Sequence, residues 1–325
     1  MPRFEANKGS SHDFLSALDF SIEVFKEKIA GNGEDSYLYF ADRNGGIAGV
    51  FDGCGGSGAK RYEKFQGKTG AYMASRAVSG AAKDWFQSVL NGEERADDPE
   101  SLKIKIKAYL DLCKAVGGSA SAFKGSLSKD FPTTAAIILA TAAEGRVQAA
   151  CMWAGDSRCY MLNSEGLKQL TKDDINGFDA MENLSADAAI TNAISASKDF
   201  LIHQKTITLS TPCILFTATD GCFGYFSTPM EFEYLLLSTL LEADTVAEWE
   251  AKISAVLQEV AGDDYTISGM SLGFGTFANL KKAFISRSKK LYEVYIAKIR
   301  DMSYEEKLAK WHIYREEYSK YLSEG

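Results

Sequence analysis

The chain has 325 residues, 46% of them hydrophobic, enough for one large domain or two small ones around a packed core. A formal charge of −8 argues against wholesale nucleic-acid binding, and no apolar run approaches the roughly twenty residues needed to span a membrane. Six scattered cysteines without a CxxC pair fit reduced thiols in a cytoplasmic protein better than a disulfide framework or a zinc site, and three histidines give a His-dependent triad little to work with.

The N-terminus lacks an apolar h-region and does not read as a secretory signal. Residues 20–53 contain three strand-like runs, FSIEVF, SYLYFA and GGIAGVF, and Asn44-Gly45 marks a hairpin between the last two. From about Lys60 to Val89 the pattern turns helical, with Ala71, Ala74, Ala77, Ala81 and Trp85 at spacings of three and four. NGEERADDPE is a loop, SLKIKIKAYLDLCKAV a second helix, and GGSASAFKGSLSKD a flexible connection. TTAAIILAT, VQAACMW and SRCYML then read as a meander of three antiparallel strands. After a polar, weakly helical stretch, TITL and CILFTAT are strands, the second apolar on both faces and therefore central. Pro229–Val260 is helical, and ISGMSLGF is the last strand. Strands and helices cluster instead of alternating, which predicts an α+β fold with sheet-on-sheet packing and helices outside.

Residues 281–325 hold eleven Lys/Arg against seven Asp/Glu, whereas the rest of the chain holds 25 against 37. Leu291, Tyr295, Ile299 and Met302 follow helical spacing, and Ser303 with Glu306 has the capping-box form that opens a second helix. The expected division is a domain over 1–278 and a helical extension over 279–325. That extension packs on the domain, or offers a contact to a partner or a second copy through 281–325.

Four acidic sites share one pattern, an apolar strand ending in Asp: Asp52, Asp156, Asp220 and Asp263, with Glu34-Asp35 in a further loop. A carboxylate at a buried strand end is costly unless its charge is compensated. Several meeting at one sheet edge would make an all-oxygen site suited to Mg²⁺ or Mn²⁺. The glycine that follows Asp52 and Asp220 would allow a tight turn and bring a carbonyl to the ion. Each Asp-Gly alone is an ordinary turn signal, so the weight lies in the combination. Gly53-Cys54-Gly55-Gly56-Ser57-Gly58 also fits the dinucleotide fingerprint. Asp52 would put a carboxylate beside the pyrophosphate, however, and no acidic strand end follows about twenty residues later.

The order of motifs resembles the metal-dependent protein phosphatase 2C family. Asn32-Gly33-Glu34-Asp35-Ser36 is similar to its N-x-E-D-S segment, and Val50-Phe51-Asp52-Gly53-Cys54-Gly55-Gly56 to V-F-D-G-H/M-G-G. Thr133-Thr134-Ala135, Gly155-Asp156-Ser157-Arg158, Leu170-Thr171-Lys172-Asp173, Thr219-Asp220-Gly221 and Asp263-Asp264-Tyr265-Thr266 follow in the family's order. The resemblance implies a four-layer α-β-β-α sandwich that hydrolyses phosphoserine or phosphothreonine in a phosphoprotein substrate. Its nucleophile would be a hydroxide bridging two Mn²⁺ or Mg²⁺ ions. It also implies Asp35, Asp52, Asp220 and Asp263 as ligands, Gly53 through its carbonyl, Glu34 through a bound water, and Asp156 for a weaker third ion.

Two positions depart from the family. Cys54 stands where eukaryotic members have histidine and bacterial members often methionine, which leans bacterial. Ala30 stands where the family places an arginine that grips the substrate phosphate, leaving Lys28 or Arg43 as substitutes. That gap motivates an alternative function, a pseudophosphatase that binds phosphoproteins without efficient turnover.

Overall fold

The computed structural model describes residues 13–118, 130–143, 145–175, 179–181, 184 and 189–322. The polar connection expected before Asp130 lies mostly outside them, as does part of the stretch after Asp173. Aromatic and β-branched residues form β1 (Leu18–Lys26) and β2 (Ser36–Ala41), and a fully buried run forms β3 (Gly46–Phe51). The carboxylate of Asp42 accepts from the amides of Asn44 and Gly45 and so closes the β2–β3 hairpin.

Helix α1 (Gly70–Leu90) starts ten residues later than its periodicity suggests. Lys60–Thr69 is taken up by a small ribbon in which Arg61 pairs with Thr69, and the Thr69 hydroxyl caps the helix. Asp98 caps α2 (Pro99–Gly117), with proline in its first turn. There follow β4 (Ala135–Ala143), β5 (Arg146–Ala154), β6 (Arg158–Asn163), β7 (Gly166–Gln169), β8 (His203–Ser210) and β9 (Cys213–Ala218). Helices α3 (Pro229–Glu242) and α4 (Val246–Val260), strand β10 (Tyr265–Leu272), and helices α5 (Phe277–Leu291) and α6 (Tyr304–Tyr318) complete the order.

Two antiparallel five-stranded sheets result, ordered β1-β10-β9-β6-β7 and β8-β5-β4-β3-β2. Their facing sides interdigitate through Val50, Ile138, Cys159, Met161, Leu215 and Met270. Trp85, Leu102 and Ile106 of α1 and α2 cover the outer face of the second sheet. Helices α3 to α6 cover the outer face of the first. This is the four-layer α-β-β-α arrangement expected, with β9 central in its sheet as its two apolar faces require.

The three-strand meander is corrected. β4 and β5 pair, but β6 crosses to the other sheet and pairs with β9 and with the short β7. Gly155, at φ +99°, redirects the chain at the crossing. The GxGxxG run is likewise not a dinucleotide loop: β3 lies between antiparallel neighbours, and the helix after it has only four residues. None of the six cysteines forms a disulfide. Among the described residues no helix is long and apolar enough to cross a membrane.

The tail is tied into the fold by two buried polar networks. Arg287 of α5 reaches both carboxylate oxygens of the fully buried Glu233 at 2.6 and 2.7 Å, and the Tyr314 hydroxyl of α6 donates to Glu233 at 2.5 Å. Arg158 grips Asp173 with its closest contact at 2.7 Å and points its other nitrogen at the hydroxyls of Tyr160 and Tyr318. The capping box at Ser303 and Glu306 forms as expected. Trp311, Tyr314 and Tyr318 are buried, whereas Ile313 on the opposite side of α6 and Tyr304 in its first turn remain exposed for any partner.

Candidate functional site

Register places every acidic motif at one end of the sandwich. Ser36, next to Asp35, pairs with Phe51, next to Asp52. Ala135 pairs with Ala154, two residues before Asp156. Ala218, two residues before Asp220, pairs with Ile267 near the start of β10, the strand that follows Asp263. Asp35 is buried, and its Oδ2 accepts from Thr219 at 2.9 Å and Thr266 at 2.7 Å. One carboxylate of the second sheet is thereby fastened to two strand ends of the first. Across the same seam the hydroxyls of Thr134 and Ser157 meet at 2.7 Å.

The glycines serve a different purpose from the tight turns expected. Neither Gly53 nor Gly221 has a positive φ. A Cβ on Gly53 would lie 2.7 Å from the carbonyl oxygen of Ala71, and one on Gly221 only 1.8 Å from that of Asp264. Both positions need glycine because backbones pass too close for any side chain.

Burial and mutual repulsion raise the acids together. Burial comes first at Asp52, followed by the charges of Asp220, Asp35, Asp156 and Asp263, and the pKa rises well above the carboxylate range. Burial and neighbouring acids push Asp35 and Asp156 up to about 8. Asp220 is raised by burial and Asp263, an effect softened by a hydrogen bond with Asp52. Glu34, whose carboxylate accepts from the Thr69 hydroxyl, is raised by burial and then by Asp264 and Asp263.

The arrangement also shows positioning residues that sequence reasoning missed. Asp264 spends its carboxylate on the amides of Lys28 and Glu34, each at 2.6 Å, whereas Asp263 beside it is exposed. Arg76 stacks on Tyr72 at 3.4 Å and donates to the carbonyls of Gly33 and Glu34 at 3.2 and 3.4 Å, holding the loop that carries Glu34 and Asp35. The second acid and the threonine of the last motif were the available signals for Asp264 and Thr266. Arg76, forty residues from its loop, gave none.

Neither substitute for the absent arginine is suitably placed. The Lys28 ammonium donates to the Ala261 carbonyl at 2.6 Å. Arg43 sits at the β2–β3 turn, the opposite end of strands some 20 Å long, beside Asp13. Arg61 is the cation that acts on Glu34. It is exposed, and its hydrogen bond goes to the Gly67 carbonyl.

Among the described residues, no three His, Cys, Asp or Glu side chains stand close enough together to hold a metal ion as they lie. The donor chemistry nevertheless fits a hard divalent cation. All candidate donors are oxygens, the leading charges on Asp52 are all carboxylates, and Asp156 Oδ1 is buried without a hydrogen-bond partner. The metal-free protein should therefore lose stability as pH rises. Asp35 and Asp156 have folded-state pKa values of about 8, above the unfolded value of about 4. Their contribution is complete below the unfolded value and is lost as pH climbs through the folded one. Calorimetry in EDTA should show the melting temperature falling from about pH 4 to about pH 8. A flat profile would contradict the mutual repulsion.

The model of a family described as protein phosphatase 2C matches residues 31–258. A search of curated proteins finds no match. Among solved structures, the chain is similar to the serine/threonine phosphatase PstP/Ppp of Mycobacterium tuberculosis at 17% identity, with 78% of this chain and 98% of that chain covered and a TM-score of 0.52. It is also similar to the catalytic domain of PstP in complex with two manganese ions, at 18% identity, 78% and 97% coverage and a TM-score of 0.52. The third is Stp1 from Staphylococcus aureus, at 17% identity, 82% and 99% coverage and a TM-score of 0.54. At these identities the structural likeness carries the fold.

Proposed function

The chain belongs to the protein phosphatase 2C family, and from that premise we propose that its acidic end hydrolyses phosphoserine and phosphothreonine in proteins, in the cytoplasm. The observation that carries the reading is the environment of Asp52, where every leading charge is another carboxylate. Such a cluster is tolerable only with protons or cations present.

Asp35, Asp52, Asp220 and Asp263 would hold two Mn²⁺ or Mg²⁺ ions, with the Gly53 carbonyl, Glu34 acting through water, and Asp156 reserved for a weaker third. When bound, the ions would activate water for attack on phosphorus and neutralise charge on the phosphoryl oxygens. Asp35 can present only one oxygen freely, because Thr219 and Thr266 occupy the other. Arg76 and Asp264 brace the loop that presents Glu34 and Asp35, so the rearrangement on ion binding falls to the side chains and not to this backbone.

Arg61, the cation whose charge reaches Glu34, is our candidate to meet the substrate phosphate. Arg61→Ala is expected to raise KM for a phosphopeptide about tenfold, the loss of one charge-assisted hydrogen bond, with a smaller change in kcat. Steady-state kinetics on one phosphopeptide checks this, and an unchanged KM would remove Arg61 from the site. The function itself is tested by hydrolysis of p-nitrophenyl phosphate and a phosphopeptide panel against Mn²⁺ concentration. No turnover in millimolar Mn²⁺ across the panel would favour the phosphoprotein-binding alternative.

A further inference from the structure

A cleft of about 620 Å³ opens beside the acidic end, between the Cys54–Ser57 turn and the segment 190–199. Its size suits a short bound segment. A backbone ladder joins its floor to the site: Gly53 bridges Thr133, Thr133 bridges Ile194, and the Thr134 amide donates to the Asp52 carbonyl at 2.8 Å. Cys54 on the wall of the cleft is thus the chain neighbour of Gly53 and lies two residues from Asp52.

The far rim differs in charge from the site. Asp199 is held by Lys107 at 2.7 Å and Lys103 at 3.3 Å, so its charge is met within the rim. The exposed Lys198 makes no ion pair and no side-chain hydrogen bond among the described residues. Among the described residues that line the cleft, Lys198 is the only cation. The acidic end and a net charge of −8 would by themselves disfavour acidic peptides, so a preference for them has to come from this rim.

We propose that this cleft receives the substrate chain next to the phosphorylated residue, and that Lys198 selects an aspartate or glutamate there. The inference rests on the phosphatase reading above and specifies its substrate class as acidic phosphopeptides.

The test uses the full chain with Mn²⁺ and two phosphopeptides that differ only in carrying Glu or Lys two to four residues from the phosphoserine. The wild type should favour the Glu peptide by about threefold in kcat/KM, the effect of one exposed ion pair. Lys198→Glu should reverse the ratio, whereas Lys289→Glu, on the remote face of α5, controls for overall charge. A ratio unmoved by Lys198→Glu overturns the proposal. A second readout is independent of turnover: the Glu peptide should slow alkylation of Cys54, which lines the cleft, in the wild type and not in Lys198→Glu. Equal alkylation with and without peptide also overturns it. Failure of p-nitrophenyl phosphate hydrolysis would instead point to the phosphatase reading, and the alkylation comparison would still decide the cleft.

Discussion

Asp52→Asn is expected to lower metal-dependent hydrolysis by about a thousandfold, the upper range for removing one preorganised electrostatic element, while raising the melting temperature of the metal-free protein. The substitution keeps the shape of the side chain and removes one ionisable carboxyl from a group of five. In EDTA, relief of repulsion from Asp220, Asp35, Asp156 and Asp263 should stabilise the fold by about 1 kcal/mol, roughly 2 °C. In Mn²⁺ the order should invert. A cation at a hundred times its Kd stabilises the wild type by about 2.7 kcal/mol, and the variant by less. Paired melts with and without Mn²⁺ separate this outcome from simple misfolding. Lost activity together with a lower melting temperature in EDTA would sink the assignment of Asp52.

Ending the chain after Met302 is the second large perturbation, because it removes α6. Trp311, Tyr314 and Tyr318 are at most 4% exposed. Deleting three such aromatic side chains, at about 3 kcal/mol each, removes on the order of 9 kcal/mol, comparable to the whole stability of a domain. The loss also withdraws the Tyr314 hydroxyl from Glu233 and the Tyr318 hydroxyl from Arg158, leaving two buried charged groups short of partners. The truncated protein should be insoluble or lack a cooperative melt, whereas Tyr318→Phe should cost only about 1 kcal/mol. A soluble, cooperatively folded and active truncation would show that the tail is a dispensable appendage.

These two cases show what could be read from sequence and what could not. Asp52 and Asp220 were legible because an acid ending a buried strand is anomalous within five or six residues of text. The central place of β9 was legible for the same local reason, apolarity on both faces. The crossing of β6 to the other sheet was not, since alternation reports which face is buried and not which sheet supplies it. Arg43 is a plausible phosphate grip by sequence distance, and only the hairpin register puts it at the wrong end. Asp264 reads like its neighbour Asp263 in sequence, and only the amides of Lys28 and Glu34 distinguish a brace from a candidate ligand. The partnership of Arg158 with Tyr318 spans 160 residues and lies beyond any local pattern.

Asp35 is at once a fastener between the two sheets and a candidate ligand, whereas Asp263 is exposed at the rim. The two should therefore fail differently in a cell. A variant that spoils Asp35 also loosens the seam, and marginal folds are cleared by proteolysis in proportion to the time they spend open. Such a variant would register as missing protein. A variant at Asp263 would accumulate at normal abundance as an inert copy, still able to occupy substrates and compete with the working form.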